Sequence, residues 1–381
     1  MTEDLPNPAL LPSGLADLLP PEAARETAMV EAMLAVFASH GYERVKPPLL
    51  EFEDSLLAGS GAAVADQTFR LMDPDSHRMM GLRADITPQV ARIAATRLAG
   101  VSRPLRLSYS GQVLRIHGSQ LAPERQVPQA GIELIGVDCA EADAEVALLA
   151  ITALAEVGVT APSLDITLPT MAPALLDAAG VQGELRRKLA RALDRKDAAA
   201  VRELSALAGP PAIGLPALLT AAGPADRALA ALQEADLPPA ARAIADNAAA
   251  IIAVIRARAP ELHITLDPVE FRGLQYHVGV AFTLYGVGTT GELARGGRYR
   301  SGEEPATGMT LYLDAVRRAA PVPPEAPRVF IPLDADPAAA AGLRAQGFVT
   351  VAALTPADTP QRLRCGHILR GNSAAPIEES V

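Results

Sequence analysis

Between residues 172 and 260 the chain stops reading as β-structure. Before that block, apolar and polar residues alternate in stretches such as "PLRLSYSGQVLRIHG" and "ERQVPQAGIELIG". After it, alternation returns in "HITLDPVEFRGLQYHVGVAFTLYG" and "TGMTLYLDAVRRAA". Inside it, Ala-, Leu- and Arg-rich helical runs are separated by "GPPAIGLP", "AAGPAD" and "DLPP", clusters that end helices. A sheet interrupted in this way predicts a split α+β core, residues 1–171 and 261–320, around a helical insertion at 172–260. A proline-rich linker, "PVPPEAP", and a short C-terminal αβ region fill 321–381.

Local signals fill in the core. Residues 21–40 have helical periodicity, with Gly41 as the stop. "YERVKPPLLE" reads as extended chain restricted by its prolines. "QTFRLMDPDSHRMMGLR" predicts two strands around a "DPDS" turn. "DITPQVARIAATRLAG" predicts a helix with Thr87 as its cap and Pro88 in its first turn. A further helix is expected from about 141 to 157. The C-terminal region reads as a short β-α-β unit, "RVFIPL" to "GFVTVAAL", followed by a weak tail.

The strand within "ERQVPQAGIELIG" poses a chemical question. Side chains alternate between the faces of a strand, so Ala130, Ile132, Leu134 and Gly136 share one face. That face is apolar and reads as core. The other carries Gln129, Gly131, Glu133 and Ile135. Burying an unpaired carboxylate costs several kcal/mol. Either this face is solvated, as on many antiparallel sheets, or something meets Glu133.

Bulk properties restrict the answer. The chain has 381 residues, 49 % of them hydrophobic, enough for two or three domains with a sizeable core. Its net charge of -10 argues against broad electrostatic capture of nucleic acid. Cys139 and Cys365 form no CxxC pair, which points to a reducing compartment and no disulfide framework. Six scattered histidines, without an HxH or HExxH arrangement, predict no metal site. The acidic, proline-rich N-terminus lacks the marks of a signal peptide, and "VALLAITALAEVGV" is too short to span a bilayer. A soluble cytoplasmic protein is expected. The cationic stretch "ELRRKLARALDRKDAAAVREL", residues 184–204, raises nucleic-acid binding. Leu185, Leu189, Ala192 and Leu193 lie at helical spacing, so it also reads as an amphipathic helix with a solvated charged face.

Five segments, in order, resemble the class II histidyl-tRNA synthetase core across about residues 12–320. "HGYERVKPPLLE" is similar to the first class II motif, and "MGLRADITPQVAR" to the family's substrate-binding segment. "SGQVLRIHG…ERQVPQAGIELIG" is similar to the second motif, and "FRGLQYHVGVAF" to the histidine-specific signature. "GGRY…TGMTLYLDAVRR" is similar to the third. The resemblance implies a class II synthetase-like antiparallel sheet flanked by helices and a pocket for a histidine-like amino acid. The pocket residues it implies are Asp85, Thr87, Arg115, Gln129, Glu133, Arg272 and Tyr276. Gln129 and Glu133 would face the ligand, Asp85 and Thr87 its ammonium, Arg272 its carboxylate. The residue types suit a zwitterion, because arginine's planar fork matches a carboxylate and acidic groups match an amine.

Departures from the synthetase pattern bear on activity. The second motif's Arg-x-Glu is Arg115-Ile116-His117 here. The third motif's Gly-Leu-Glu-Arg is Tyr312-Leu313-Asp314-Ala315, which removes the arginine expected at ATP phosphates. Arg318 lies one turn further on, about 4.5 Å along the helix axis, and is a poor replacement. His277 replaces the second tyrosine of the signature. Residues 321–381 are too few for a full anticodon-binding domain. This combination resembles the synthetase-like regulatory subunits of ATP phosphoribosyltransferase. That resemblance implies no catalysis by this chain and no cofactor. It implies assembly as a homodimer with the short catalytic subunit in a hetero-oligomer, and histidine as feedback effector. It makes tRNA an improbable partner. The alternative is an aberrant or active histidyl-tRNA synthetase-like enzyme.

Overall fold

The computed structural model describes residues 10–118, 123–270 and 276–377. Arg272, one of the expected pocket residues, lies outside them. Two compact units result, Met1–Pro321 and Val322–Val381.

The first unit opens with α1 (Glu22–Ser39), which stops where Gly41 adopts a φ of +82°. β1 (Glu43–Arg44) and β2 (Leu50–Phe52) follow, then α2 (Glu53–Leu56), β3 (Arg70–Met72) and β4 (Met79–Leu82). The "YERVKPPLLE" segment is thus two short strands, broken where its prolines remove ladder donors. The "DPDS" turn forms as expected: Asp73 accepts from the Ser76 hydroxyl at 2.5 Å. Next come α3 (Thr87–Thr96), β5 (Leu105–Leu114), β6 (Gln126–Ile135), α4 (Ala140–Glu156) and β7 (Ser163–Thr167). Five helices then run nearly in succession, α5 (Met171–Ala178), α6 (Gly183–Asp194), α7 (Ala198–Ala208), α8 (Leu215–Ala221) and α9 (Ala225–Glu234). Only the two-residue β8 (Gly223–Pro224) interrupts them. α10 (Pro239–Arg258) completes the helical run. β9 (His263–Asp267), β10 (His277–Tyr285), β11 (Glu292–Ser301), β12 (Glu304–Tyr312) and α11 (Leu313–Ala319) close the unit.

Nine strands form one sheet in the order β1-β5-β6-β12-β11-β10-β7-β9-β8. From β5 to β7 every neighbouring pair is antiparallel. The even-numbered residues of β6 behave as the alternation predicts. Ala130, Ile132 and Leu134 enter a core shared with α1, α4, α10 and the helices of the insertion. The opposite face is not solvated: Gln129 and Glu133 are each 1 % exposed. Ile86, Val90 and Ala94 of the α3 segment cover part of it, against Leu107, Tyr109, Ile135 and Tyr299.

Two local expectations differ. Residues 184–204 are two helices, broken at Lys196 with a φ of +55°, and Asp197 caps the second by accepting from Ala200 N at 3.0 Å. Four of their cations are paired within the fold: Arg186 with Asp177, Arg187 and Arg191 with Glu184, Lys196 with Asp267 and Glu270. Thr87 does not cap α3. It is the first helical residue, and Asp85 instead accepts from the Ile86 amide at 2.7 Å.

The second unit contains β13 (Arg328–Ile331), α12 (Pro337–Ala345), β14 (Val349–Ala352), β15 (His367–Arg370) and β16 (Ser373–Pro376). Its sheet order is β14-β13-β15-β16, so the tail beyond the β-α-β unit is an ordered hairpin. The hairpin turns at Gly371, whose φ is +59°.

Candidate functional site

The buried polar face of the sheet is organised by strand register. Glu133 pairs with Gly308, which pairs in turn with Gly297. The next row is Tyr109, Gly131, Thr310 and Arg295, and the one after it includes Gly111, Gln129 and Tyr312. Glycines at the row centres leave room above the sheet. A Cβ on Gly308 would lie 1.8 Å from Glu133 Oε2, and one on Gly131 would lie 2.3 Å from Met309 O. The cavity so formed is lined by Asp85, Thr87, Glu133, Tyr276, Thr310 and Tyr312, with His277, Arg295 and Tyr299 completing its wall.

Of the seven residues expected from sequence, Asp85, Thr87, Glu133 and Tyr276 line this cavity. Gln129 and Arg115 are not among the wall residues and act on the pocket through Asp85. The Arg115 charge and the Gln129 amide both favour the Asp85 carboxylate, while Gln129 Oε1 has no partner among the described residues. Arg295 and Tyr299 carry no expectation from the sequence, whereas His277 and Tyr312 stand in the wall as the departures already noted from the histidine-specific signature and the third motif.

Hydrogen bonds fix Glu133. Tyr299 Oη donates to Oε2 at 2.8 Å, and Tyr109 Oη lies 3.5 Å from Oε1. Tyr109 Oη also pairs with Thr310 Oγ1 at 2.7 Å and Thr87 Oγ1 at 3.2 Å. Burial pushes the Glu133 carboxyl up to about 8, against the hydrogen bonds of Thr87, Tyr299 and Tyr109, and the nearby Asp85 charge adds to the rise. Burial also raises Asp85, although Arg115 opposes it. Two carboxyls thus share a site that strips their solvation, and an ammonium group entering it would restore what burial removed. His277 shows the opposite effect. Burial, then the positive charge of Arg295, lowers it to about 3, so its ring is neutral at physiological pH. The ring stacks near Tyr276, with centroids 4.2 Å apart, and its Nδ1 has no partner among the described residues.

The positions where the synthetase motifs would place nucleotide contacts look different. Ala315 is buried on α11. Tyr312 closes the end of the cavity, its hydroxyl pushed up to about 12 by burial. Arg318 is held by Asp314 at 3.1 Å and by Glu124 at 3.8 Å. His117 is exposed. Among the described residues no group of three His, Cys, Asp or Glu side chains can hold a metal ion, and no helix is long and apolar enough to cross a membrane.

Sheet, pocket and motif order define a class II, histidyl-tRNA synthetase-like protein. Residues 14–316 match the histidyl-tRNA synthetase family. A histidyl-tRNA synthetase from Nostoc sp. PCC 7120 has the same fold, with a TM-score of 0.74 at 18 % identity over 93 % of this chain and 88 % of that one. A protein from Bacillus halodurans, titled an ATP phosphoribosyltransferase regulatory subunit/histidyl-tRNA synthetase, superposes with a TM-score of 0.78 at 25 % identity. It covers 93 % of this chain and 95 % of its own. Within that class the sequence relatives are narrower. The ATP phosphoribosyltransferase regulatory subunit of Paramagnetospirillum magneticum is 55 % identical over 95 % of this chain and 94 % of its own. That of Rhodospirillum centenum is 50 % identical over the full length of both. The chain belongs to the ATP phosphoribosyltransferase regulatory subunit family.

Proposed function

We propose that this chain is a non-catalytic subunit that switches on a short-form ATP phosphoribosyltransferase catalytic chain and transmits histidine feedback to it. It acts as a homodimer within the hetero-oligomer, in the first step of histidine biosynthesis. The observation that carries this reading is the contrast within one sheet face. An acid-lined pocket suited to an amino acid persists at Asp85, Thr87 and Glu133, beside a third-motif helix whose phosphate-binding arginine is Ala315. The cavity is partly open and holds about 30 Å³, room for roughly two waters, so histidine enters as wall side chains such as Tyr276 shift. Feedback requires a coupling free energy of about 1–3 kcal/mol between this pocket and the partner's active site.

The test is co-expression with a short catalytic chain. Activation of that chain, reversed by histidine, is the expected result. A stable complex without activation would remove the regulatory part of the proposal. The enzyme alternative has one observation in its favour, the retention of Arg115 beside Asp85, where an activated amino acid's anionic group would lie. It requires histidine-dependent ATP–pyrophosphate exchange by the purified chain; we expect none, and robust exchange would replace our reading with that one.

A further inference from the structure

The acids of the pocket account for one end of an amino acid, and the other end needs a cation. Among the described wall residues only one carries a permanent positive charge, Arg295 on β11. It stands between Glu292 and the "GGRY" run that the third-motif comparison draws on, and no motif drew attention to it. Register places it on the pocket face: Arg295 pairs with Thr310, next to the row in which Glu133 pairs with Gly308. Rows two residues apart along a strand are separated by about 6.6 Å, a step comparable to the length of an amino acid with a short polar side chain.

We infer that Arg295 meets the ligand's carboxylate from β11, alongside the Arg272 that the family resemblance assigns to it and that lies outside the described residues, and so makes the pocket favour a complete α-amino acid over its carboxylate-free analogues. The inference rests on the amino-acid reading of the pocket. Three observations support it. An ion pair, Nη2 to Glu292 Oε1 at 2.7 Å, positions the guanidinium and offsets part of its charge, and its planar fork has five N–H donors to distribute. The side chain is 33 % exposed, so its charge is reachable from the open side without dismantling the core. Register sets it on β11 four residues before Tyr299, at the end of the cavity away from the Tyr299–Glu133 contact, and its charge is felt at the wall groups His277 and Tyr312. Tyr312 stands across that same end, where the aligned synthetase motif has glycine. The pair thereby closes the pocket over a carboxylate instead of opening it towards a nucleotide.

The test is calorimetric titration of the full-length chain with L-histidine and with L-histidinol, which lacks the carboxylate. Wild type should prefer histidine by about tenfold or more, the factor that 1.4 kcal/mol supplies. Arg295→Met should bind histidinol as wild type does and lose much of the preference; Arg295→Lys should recover part of it. Thermal unfolding of each ligand-free variant shows that the fold is retained. A full preference in Arg295→Met would overturn the inference while leaving the amino-acid pocket standing. Binding of neither compound by wild type would remove the pocket reading, and this inference with it.

Discussion

Tyr299 Oη donates a hydrogen bond to Glu133 Oε2 at 2.8 Å, joining residues 166 positions apart on two strands separated by β12. The contact places a carboxyl in the protein interior with a neutral donor instead of a cation. That hydrogen bond favours the ionised carboxylate, but burial outweighs it and pushes Glu133 up to about 8.

That shift has a definite consequence for stability. Below the ordinary glutamate value near 4.5 the folded and unfolded chains both hold the proton, and the contribution of Glu133 is complete. As pH rises towards 8 the unfolded chain releases its proton first, and the folded state loses ground. Glu133→Gln keeps the shape and removes the titration. Its unfolding free energy relative to wild type should rise on the order of 4 kcal/mol between pH 5 and pH 8. Urea unfolding at the two pH values measures it, and a difference that does not change with pH would show that Glu133 does not titrate in this window.

Much of this arrangement was legible in the alternation of one strand. The apolar set Ala130, Ile132 and Leu134 is core, and the polar face opposite is buried as well. What alternation does not convey is register. Arg295 joins the cavity wall because β11 pairs with β12 such that Arg295 faces Thr310, a fact distributed over two strands and invisible in either. The role of Thr87 was misread for a related reason. Threonine before a helix suits a cap, but the adjacent Asp85 takes the first amide, and the Thr87 hydroxyl lies 3.2 Å from Tyr109 Oη. The break at Lys196 has no proline or glycine to announce it. It is supported by carboxylates that lie 71 and more residues further along.

The glycines of the pocket floor should differ in their tolerance. A Cβ at Gly308 meets the Glu133 carboxyl, at 1.8 Å, and the Ile132 carbonyl less closely, at 2.8 Å, whereas a Cβ at Gly131 meets the Met309 carbonyl, at 2.3 Å, and the Tyr109 hydroxyl, at 2.5 Å. A side-chain end can move, but the backbone of a central strand cannot. Gly131→Ala should therefore be the more destabilising of the two, with losses in or above the range of about 1–3 kcal/mol typical of overpacking. Gly308→Ala should fold but lose histidine binding, because the carboxyl it displaces is the pocket's own. Denaturant midpoints rank the two variants, and calorimetry with histidine checks the second.

Lys196 ties the helical insertion to the end of β9. Its Nζ lies 2.5 Å from Asp267 Oδ2 and 2.9 Å from Glu270 Oε2. Burial alone would lower the lysine; the two carboxylates outweigh it and raise it. The stabilisation is thus complete at neutral pH and is lost only as pH climbs past the ordinary lysine range. Lys196→Met leaves two partly buried acids side by side and should cost about 1–2 kcal/mol at pH 7, a figure that allows for solvent screening of partly exposed groups. Lys196→Arg should recover most of it in the same unfolding assay. Equal losses in both would assign the effect to the packing of the lysine stem and not to the charge.

His277 sets the acid side of the stability profile. Burial, followed by the charge of Arg295, holds its ring at about 3, so the folded state resists a proton that the unfolded chain accepts near 6.5. The contribution is complete above 6.5 and declines as pH falls towards 3, the reverse of Glu133. The ring faces Tyr276 at 4.2 Å and pairs by register with Tyr299; neither can offer a negative charge to an imidazolium. His277→Phe removes both the titration and an unpartnered Nδ1. It should match or exceed wild type by up to about 1 kcal/mol at pH 7, and its advantage should grow by about 2–3 kcal/mol at pH 4.5. Thermal or denaturant unfolding at the two pH values measures the change. Were the advantage to stay constant, the ring would take up a proton as readily in the folded chain as in the unfolded one, and neither burial nor the Arg295 charge would disfavour the imidazolium.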